Sequence, residues 1–416
     1  MQSVSLETSA RELLQANTQT SVKDGRTYTF SVPSPQAYPF QWFWDSCFHA
    51  IVWARFDWQR AAEELRGLFA WQGRDGFMPH VIFWNQHLAR RNPNYWHFRE
   101  SRPWLRRPKT TARVQPPVIA QAVERVVDAG GGEAFLRETI GPLERYYRYL
   151  EHARDPDGDS LLTIISSFES GLDHCPVYDY PYSLHVDDAD PLQPDPWWTL
   201  RRELVNKLLG HRAGALARLR RNTHEDVHFT SIYAQGLRSL SRLADRAGDD
   251  GLARWAREKA SRVTDALMER SYDARAGLFW NLVGMREEPI RVKTIVSLMP
   301  LILEDLPRSA VESVVEHLAD PGEFWLDYPV ASTARDEPAF VPIRTRLIWR
   351  GPMSMNTNWF LAHGLRAHGY PDLADTIAER SRELVERHGF NEFYNPLNGE
   401  PVGVETFGWA TLVLDL

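Results

Sequence analysis

The sequence predicts an all-α fold, a closed toroid of about six helix pairs. Three observations carry this expectation. Apolar residues recur at three and four positions through nearly every long stretch. Those stretches follow one another in pairs, without strand–helix alternation. Between them lie aromatic segments marked by Pro and Gly. A two-domain all-helical chain is the alternative. No Ser/Gly linker or low-complexity tract divides the sequence, so 1–416 is expected to be one domain.

The elements follow in order. "SLETSARELLQANT" is a short amphipathic helix capped by Ser5 or Thr8. "WDSCFHAIVWARF" and "WQRAAEELRGLFAWQ" make a pair. "PPVIAQAVERVVDAG", opened by prolines and closed by Gly130, precedes "GEAFLRETIGPLERYYRYLEHAR". "WWTLRRELVNKLLGHRAGALARLRR" reads as a helix or a broken pair. "THEDVHFTSIYAQGLRSLSRLADRAG", with Thr223 as cap, pairs with "DGLARWAREKASRVTDALMERSYD". "KTIVSLMPLILEDL" pairs with "PRSAVESVVEHLAD", and "NTNWFLAHGLRAHGY" with "PDLADTIAERSRELVERHG". "FGWATLVLDL" ends the chain. Strand-like pieces, "RTYTFSVPS" and "GLFWNLV", occur only in connections.

Composition removes several classes of function. The chain has 416 residues, 25 % of them charged, and a net charge of −7. Acids and bases alternate, with no polybasic arm, so nucleic acid is not expected as a partner. No stretch approaches the length of apolar residues that crosses a bilayer. The N-terminus does not read as a signal peptide. Cys47 and Cys175 make no disulfide framework, so a reduced, cytoplasmic setting is expected. The sequence leaves open whether the chain forms a homo-oligomer. The 16 Trp, 14 Tyr and 19 Phe are the unusual feature, because many lie in connections. Aromatic rings in loops suit a sugar pocket, where ring faces pack on the apolar faces of a pyranose.

Five stretches carry chemistry. In "QWFWDSCFHA", Asp45 stands beside Trp42 and Trp44. It is either a helix cap or an acid that takes sugar hydroxyls. In "RDPDGDSLL", Asp155, Asp157 and Asp159 alternate as in the start of a calcium loop, but no later Glu is convincingly placed, and a polar turn is the simpler reading. "FESGLDHCP" holds Glu169 and Asp173 about Gly171. "HGFNEFYNPLNGEPVGVETFGW" holds Glu392, Glu400 and Glu405. Two acids from distant parts of the chain are what glycoside hydrolysis needs: one protonates the leaving oxygen, and the other activates water or attacks carbon. "LIWRGPMSMNTNWF" forms an aromatic turn before a helix. Nucleotide, zinc-protease and serine-hydrolase motifs are absent. His224 and His228, four apart, offer two ligands on one helix face, although a capped helix start explains them more simply.

"QWFWDS", "RDPDGD", "ESGLD", "WRGP", "EFYNPLNGE" and "FGW", in this order, resemble glycoside hydrolase family 63 over residues 38–409. The resemblance implies an (α/α)6 barrel. It also implies an inverting mechanism without cofactor or catalytic metal. Without an extra β domain, the chain resembles the compact members that hydrolyse mannosylglycerate or glucosylglycerate. Its partner would then be a small glycoside with an anionic aglycone, glycerate. By this resemblance Asp173 matches the general acid and Glu392 the general base. Tyr38, Trp42 and Asp45 match positions that hold the sugar. Gln115, Trp349 and Glu405 match further pocket positions. Glu169 becomes a neighbour whose charge helps keep Asp173 protonated. Ile348 and Ser354 stand where the family often has aromatics, which opens room for the axial hydroxyl of mannose. Arg90, Arg91, Arg99, Arg201, Arg202 and Arg212 are the candidate partners of the glycerate carboxylate. The rivals are a trehalase-like α-glucosidase, a sugar epimerase and a non-enzymatic sugar-binding protein.

Overall fold

The computed structural model describes residues 5–85, 109–179, 204–218, 223–284, 286–343 and 347–416. Most of the described chain is helical. Helices α1 (Leu6–Ala16), α2 (Phe43–Ala54), α3 (Trp58–Phe69), α4 (Ile119–Val126) and α5 (Gly132–Arg154) come first. They are followed by α6 (Val227–Ala247), α7 (Asp250–Ala266), α8 (Ile295–Leu298), α9 (Arg308–Leu318), α10 (Met355–Ala367) and α11 (Pro371–His388).

Local chemistry explains most boundaries. Ser5 caps α1 by accepting from Thr8 N, and Asp57 caps α3 by accepting from Gln59 N and Arg60 N. Asp226, not Thr223, caps α6: its carboxylate accepts from Phe229 N at 2.7 Å, while His224–Glu225 pairs as a short strand. His224 and His228 therefore do not share a helix face. Pro300 stops the helical run begun by α8, which continues only as a 3₁₀ turn over Met299–Ile302. The final segment, Gly408–Leu414, is also 3₁₀. Residues 180–203 and 219–222 lie outside the description, so the expected helix over 197–221 appears only in part, as 204–208 and Ala213–Arg218.

The helices pack by burial of one face. In α2, Phe43 to Trp53 are all buried, so this helix is enclosed by protein. Its neighbour α3 buries one stripe only, from Ala61 to Leu68. This alternation of an enclosed helix with a one-sided partner recurs in α6 and α7, and in α10 and α11. The enclosed segments contact one another in succession: α2 with α4, α4 with α6, α6 with Met299–Ile302, that turn with α10, α10 with Gly408–Leu414, and Gly408–Leu414 with α2. Outside them lie α3, α5, α7, α9, α11 and α1. Short strands are confined to the connections. The hairpin Asn391–Tyr394 with Pro401–Glu405 is the one that matters for the site. Among the described residues, no helix is long and apolar enough to cross a membrane.

Candidate active site

Three acids gather at the start of α2. Asp45 lies in the first turn, with Trp42 at the cap position. It is 2 % exposed, and its Oδ1 has no hydrogen-bond partner. It is therefore not the helix cap that its position allows. Burial pushes its carboxyl well above the usual range, with the charges of Glu392 and Asp173 adding to the effect.

Glu392 sits in the hairpin strand Asn391–Tyr394 and is 3 % exposed. Its Oε2 accepts from Val404 N at 3.0 Å, and its Oε1 from the Tyr38 hydroxyl at 3.4 Å. Its backbone is held as firmly: the carbonyl accepts from Trp409 Nε1 at 3.1 Å and from Ser354 Oγ at 3.2 Å. Burial raises its carboxyl to about 8, with Asp173 contributing. Ser354 is fully buried and supports the Glu392 backbone. Gly403 lies against the same carboxylate. Its φ is +81°, and a Cβ there would stand 2.6 Å from Glu392 Oε2. Gly403→Ala is expected to push the Glu392 carboxylate aside; if that carboxylate takes part in catalysis, a displacement of about 1 Å lowers kcat by about 100-fold while far-UV circular dichroism stays unchanged. Unaltered kcat in a folded Gly403→Ala protein would remove Glu392 from the chemistry.

Asp173 follows the short helix Ser167–Ser170 and Gly171. The left-handed φ of +74° at Gly171 turns the chain, and a Cβ there would collide with the Trp44 ring at 2.6 Å. The loop thus lies directly on the indole next to Asp45. Asp173 is half-buried. Desolvation raises its carboxyl to about 7, against the opposing charge of Arg113. Glu169 is not the charge that acts on it. Glu169 is fully buried and takes a two-point bond from Arg154, Nη1 to Oε2 at 2.8 Å and Nη2 to Oε1 at 2.6 Å. It also accepts from Val114 N and Ile165 N. It fastens the acid's loop to the segment that carries Arg113 and Gln115. Beyond Asp173, Asp179 pairs with Arg350 at 2.5 Å, tying the loop to the "WRGP" turn.

The aromatic residues form one connected wall. Tyr38 meets Trp42 and Phe407 edge-on at 5.6 Å in each case. Trp44 contacts Trp409 at 5.7 Å, and Trp349 packs on Phe393 at 4.8 Å. Gln115 is buried and accepts from Trp44 N at 3.1 Å. Trp349 is 1 % exposed and adopts φ +66°, a strained backbone for a bulky residue. Glu405 stands apart: it is exposed at the end of the second hairpin strand, paired in register with Asn391. Arg212 is exposed as well. Arg90, Arg91, Arg99, Arg201 and Arg202 lie outside the described residues. Arg113 was not legible as a site residue. The available signal was its spacing of two from Gln115 in an extended stretch.

Asp155, Asp157 and Asp159 form the polar turn expected for them. Asp155 Oδ2 accepts from Ser160 N at 3.1 Å, and Asp159 Oδ1 from Leu161 N at 2.8 Å. Lys259 and Arg270 lie at 3.3 Å and 3.5 Å from Asp155 and Asp159. Among the described residues, this trio, and Asp159 with Glu225 and Glu287, place carboxylate oxygens close enough together to hold a cation. Burial pushes Glu225 up to about 9 and Asp159 to about 6.

The raised carboxyl of Asp45 has a stability consequence. A buried acid whose folded value is raised costs nothing below its unfolded value; the cost grows as the pH rises above the unfolded value and is complete once the pH exceeds the folded one. Asp45→Asn is therefore expected to raise Tm relative to the parent at alkaline pH, with the gain vanishing in acid. Calorimetry from about pH 5 to about pH 9 reads this directly. A lower Tm at every pH would show that Asp45 is ionised and satisfied.

Residues 38–410 match the family described as mannosylglycerate hydrolase MGH1-like glycoside hydrolase domain. A mannosylglycerate hydrolase from Thermus thermophilus is 33 % identical over 412 residues, 92 % of this chain and 94 % of the relative. A glucosylglycerate hydrolase from Mycolicibacterium hassiacum is 26 % identical, over 93 % of this chain and 94 % of the relative. The crystal structure of a glycoside hydrolase family 63 mannosylglycerate hydrolase, also from Thermus thermophilus and in complex with Tris and D-glycerate, superposes with a TM-score of 0.83 at 30 % identity, covering 99 % of this chain and 98 % of that one.

Proposed function

The chain belongs to the mannosylglycerate hydrolase MGH1-like glycoside hydrolases, and from that premise we propose that it hydrolyses 2-O-α-mannosylglycerate to mannose and glycerate. Asp173 gives a proton to the glycosidic oxygen. Glu392 takes one from a water that attacks the opposite face of the sugar, so the anomeric configuration inverts. The observation that supports this reading is that the charges of Asp173 and Glu392 both act on the buried Asp45, and that of Asp173 on Glu392. Tyr38, Trp42, Asp45, Gln115 and Trp349 hold the sugar, and Glu405 lies further out.

The ring of enclosed segments with an outer helix on each is read as an (α/α)6 barrel that makes a single catalytic domain. A cytoplasmic enzyme acting on a small anionic glycoside fits the two buried, unbridged cysteines. Hydrolysis of glucosylglycerate is the second reading, favoured by the likeness to the Mycolicibacterium enzyme along nearly the whole chain.

The test is release of free sugar from mannosylglycerate, glucosylglycerate and trehalose side by side, with the anomer of the product read by NMR. Turnover of the glycerates with β-anomer released first supports the proposal, and their ratio of kcat/KM sets the preferred sugar. Turnover of trehalose alone would discard the anionic aglycone.

A further inference from the structure

The turn after α5 gathers more negative charge than its neighbours balance. Asp155, Asp157 and Asp159 bring carboxylate oxygens within 4.8 Å of one another, and so do Asp159, Glu225 and Glu287. Among the described residues, two cations reach these acids. Lys259 Nζ lies 3.3 Å from Asp155 Oδ2 and is shared with Glu151 at 3.4 Å. Arg270 Nη1 bonds Glu287 at 2.5 Å, and its Nε lies 3.5 Å from Asp159 Oδ2. Burial, with the charges of the neighbouring acids, raises Glu225 to about 9 and Asp159 to about 6.

A run of acids alone is an ordinary solvated turn. Here the spare oxygens are shut away from water. The side chains of Asp155 and Asp159 are only 4 % and 7 % exposed. One oxygen of each is used by the turn itself: Asp155 Oδ2 accepts from Ser160 N, and Asp159 Oδ1 from Leu161 N. The other oxygens, Asp155 Oδ1 and Asp159 Oδ2, are buried and accept no hydrogen bond among the described residues, and neither does Glu225 Oε2. Such orphaned oxygens are costly. Beside them lies a cavity of about 10 Å³, walled by Asp157, Thr163, Thr223, Glu225 and Gly284. That is room for about one water-sized particle. Buried, unpartnered carboxylate oxygens next to a space of that size point to a cation.

The sequence has the start of a calcium loop without its closing Glu, and the fold supplies one. Strand Thr163–Ile164 pairs with His224–Glu225, with Thr163 opposite Glu225, which returns that carboxylate to the turn. Carboxylate oxygens suit a hard cation. Several of them in one protein cage suit Ca²⁺, whose ligands stand at about 2.3–2.6 Å, better than Mg²⁺, which keeps most of its waters. We propose that Asp155, Asp157, Asp159 and Glu225 hold a calcium ion that fixes the root of the Asp173 loop. Asp155 follows Arg154, which binds Glu169 at two points, and Ile165 N, just past the paired strand, bonds the same Glu169. Glu225 precedes Asp226, which accepts from the Tyr178 hydroxyl at 2.6 Å. The segment that bears Asp173 is thus tied near both ends to residues adjoining the ion. The ion is structural, and no step of hydrolysis passes through it. Its binding is independent of the functional reading above; its effect on turnover rests on the role given there to Asp173.

The experiment strips the chain with EGTA and titrates it with Ca²⁺, reading bound calcium by equilibrium dialysis, Tm by calorimetry and kcat on mannosylglycerate. One ion per chain is expected. At about 100 times Kd it should raise Tm by about 3 °C. Stripping should lower kcat by about tenfold or more, and Ca²⁺ should restore it. Asp157→Asn, at an exposed position, should weaken Ca²⁺ by about tenfold without lowering the Tm of the stripped protein. Glu225→Gln replaces a carboxyl that burial keeps protonated near neutral pH, so the stripped variant should be as stable as the stripped parent and yet lose the response to Ca²⁺. Absence of bound calcium at about 1 mM, beyond the weakest range of protein calcium sites, overturns the proposal. Binding undiminished in both variants overturns the placing of the ion, and an equal response to Mg²⁺ overturns its identity. Binding with kcat unmoved by EGTA overturns the link to the Asp173 loop. A chain that binds Ca²⁺ with the expected variant losses but turns over no glycoside supports the site and overturns the functional reading alone.

Discussion

Glu392→Gln is expected to lose hydrolysis by about 10²- to 10⁴-fold, the span that positioned acid–base groups supply. The carboxamide oxygen still accepts from Val404 N, so the hairpin and the pocket should survive. What disappears is the ability to take a proton from water. Asp173→Asn should show a similar loss on mannosylglycerate, yet keep much of its activity on α-mannosyl fluoride, whose leaving group needs little protonation. Glu392→Gln should fail on both substrates, because attack by water is still required. Retention of glycoside hydrolysis by Glu392→Gln would sink the assignment. The pH dependence has a definite sign. Below about 7 both carboxyls are protonated and no base remains; above about 8 both are ionised and no acid remains. A bell for kcat/KM with both limbs above the ordinary carboxylate range is the expected profile in the free enzyme.

Arg154→Met is expected to cost about 3–5 kcal/mol of stability, because it strands the fully buried Glu169 without its counter-charge. Arg154→Met combined with Glu169→Gln should recover part of that loss, since the second change removes the charge left behind. Denaturant unfolding of the parent, the two single variants and the double variant reads the coupling. The functional consequence follows from the fold. Glu169 binds the amides of Val114 and Ile165, so the staple joins the loop of Asp173 to the segment of Arg113 and Gln115. Loosening it should lower kcat in protein that still folds. Additive single-variant effects would mean that the pair contributes no coupling.

The sequence by itself determined the helices with strong periodicity and unambiguous ends. The segment 132–154 was expected with the same limits as α5, and α11 ends at His388, just before the Gly389 that its sequence marks as a stop. Apolar spacing and caps act within four residues, so the local chain contains the whole cause. The order of motifs likewise singled out Asp173 and Glu392 as the candidate acid pair, with Tyr38 as a further pocket residue. Where a local rule had two solutions, the tertiary structure chose. Thr223 and Asp226 could both cap α6, and the strand pairing of His224 left the task to Asp226. Asp45 occupies a first turn that invites a cap but stays without a partner at Oδ1. Ser354, read from the sequence only as a missing aromatic, also holds the Glu392 backbone. Glu169 looked like a neighbour for Asp173 and is bound by Arg154, while Arg113 supplies the charge that Asp173 feels. Each of these depends on which distant group reaches a buried charge first. Coulomb and desolvation energies are set by separation in space and by exclusion of water, and spacing along the chain specifies neither until the helices close around the site.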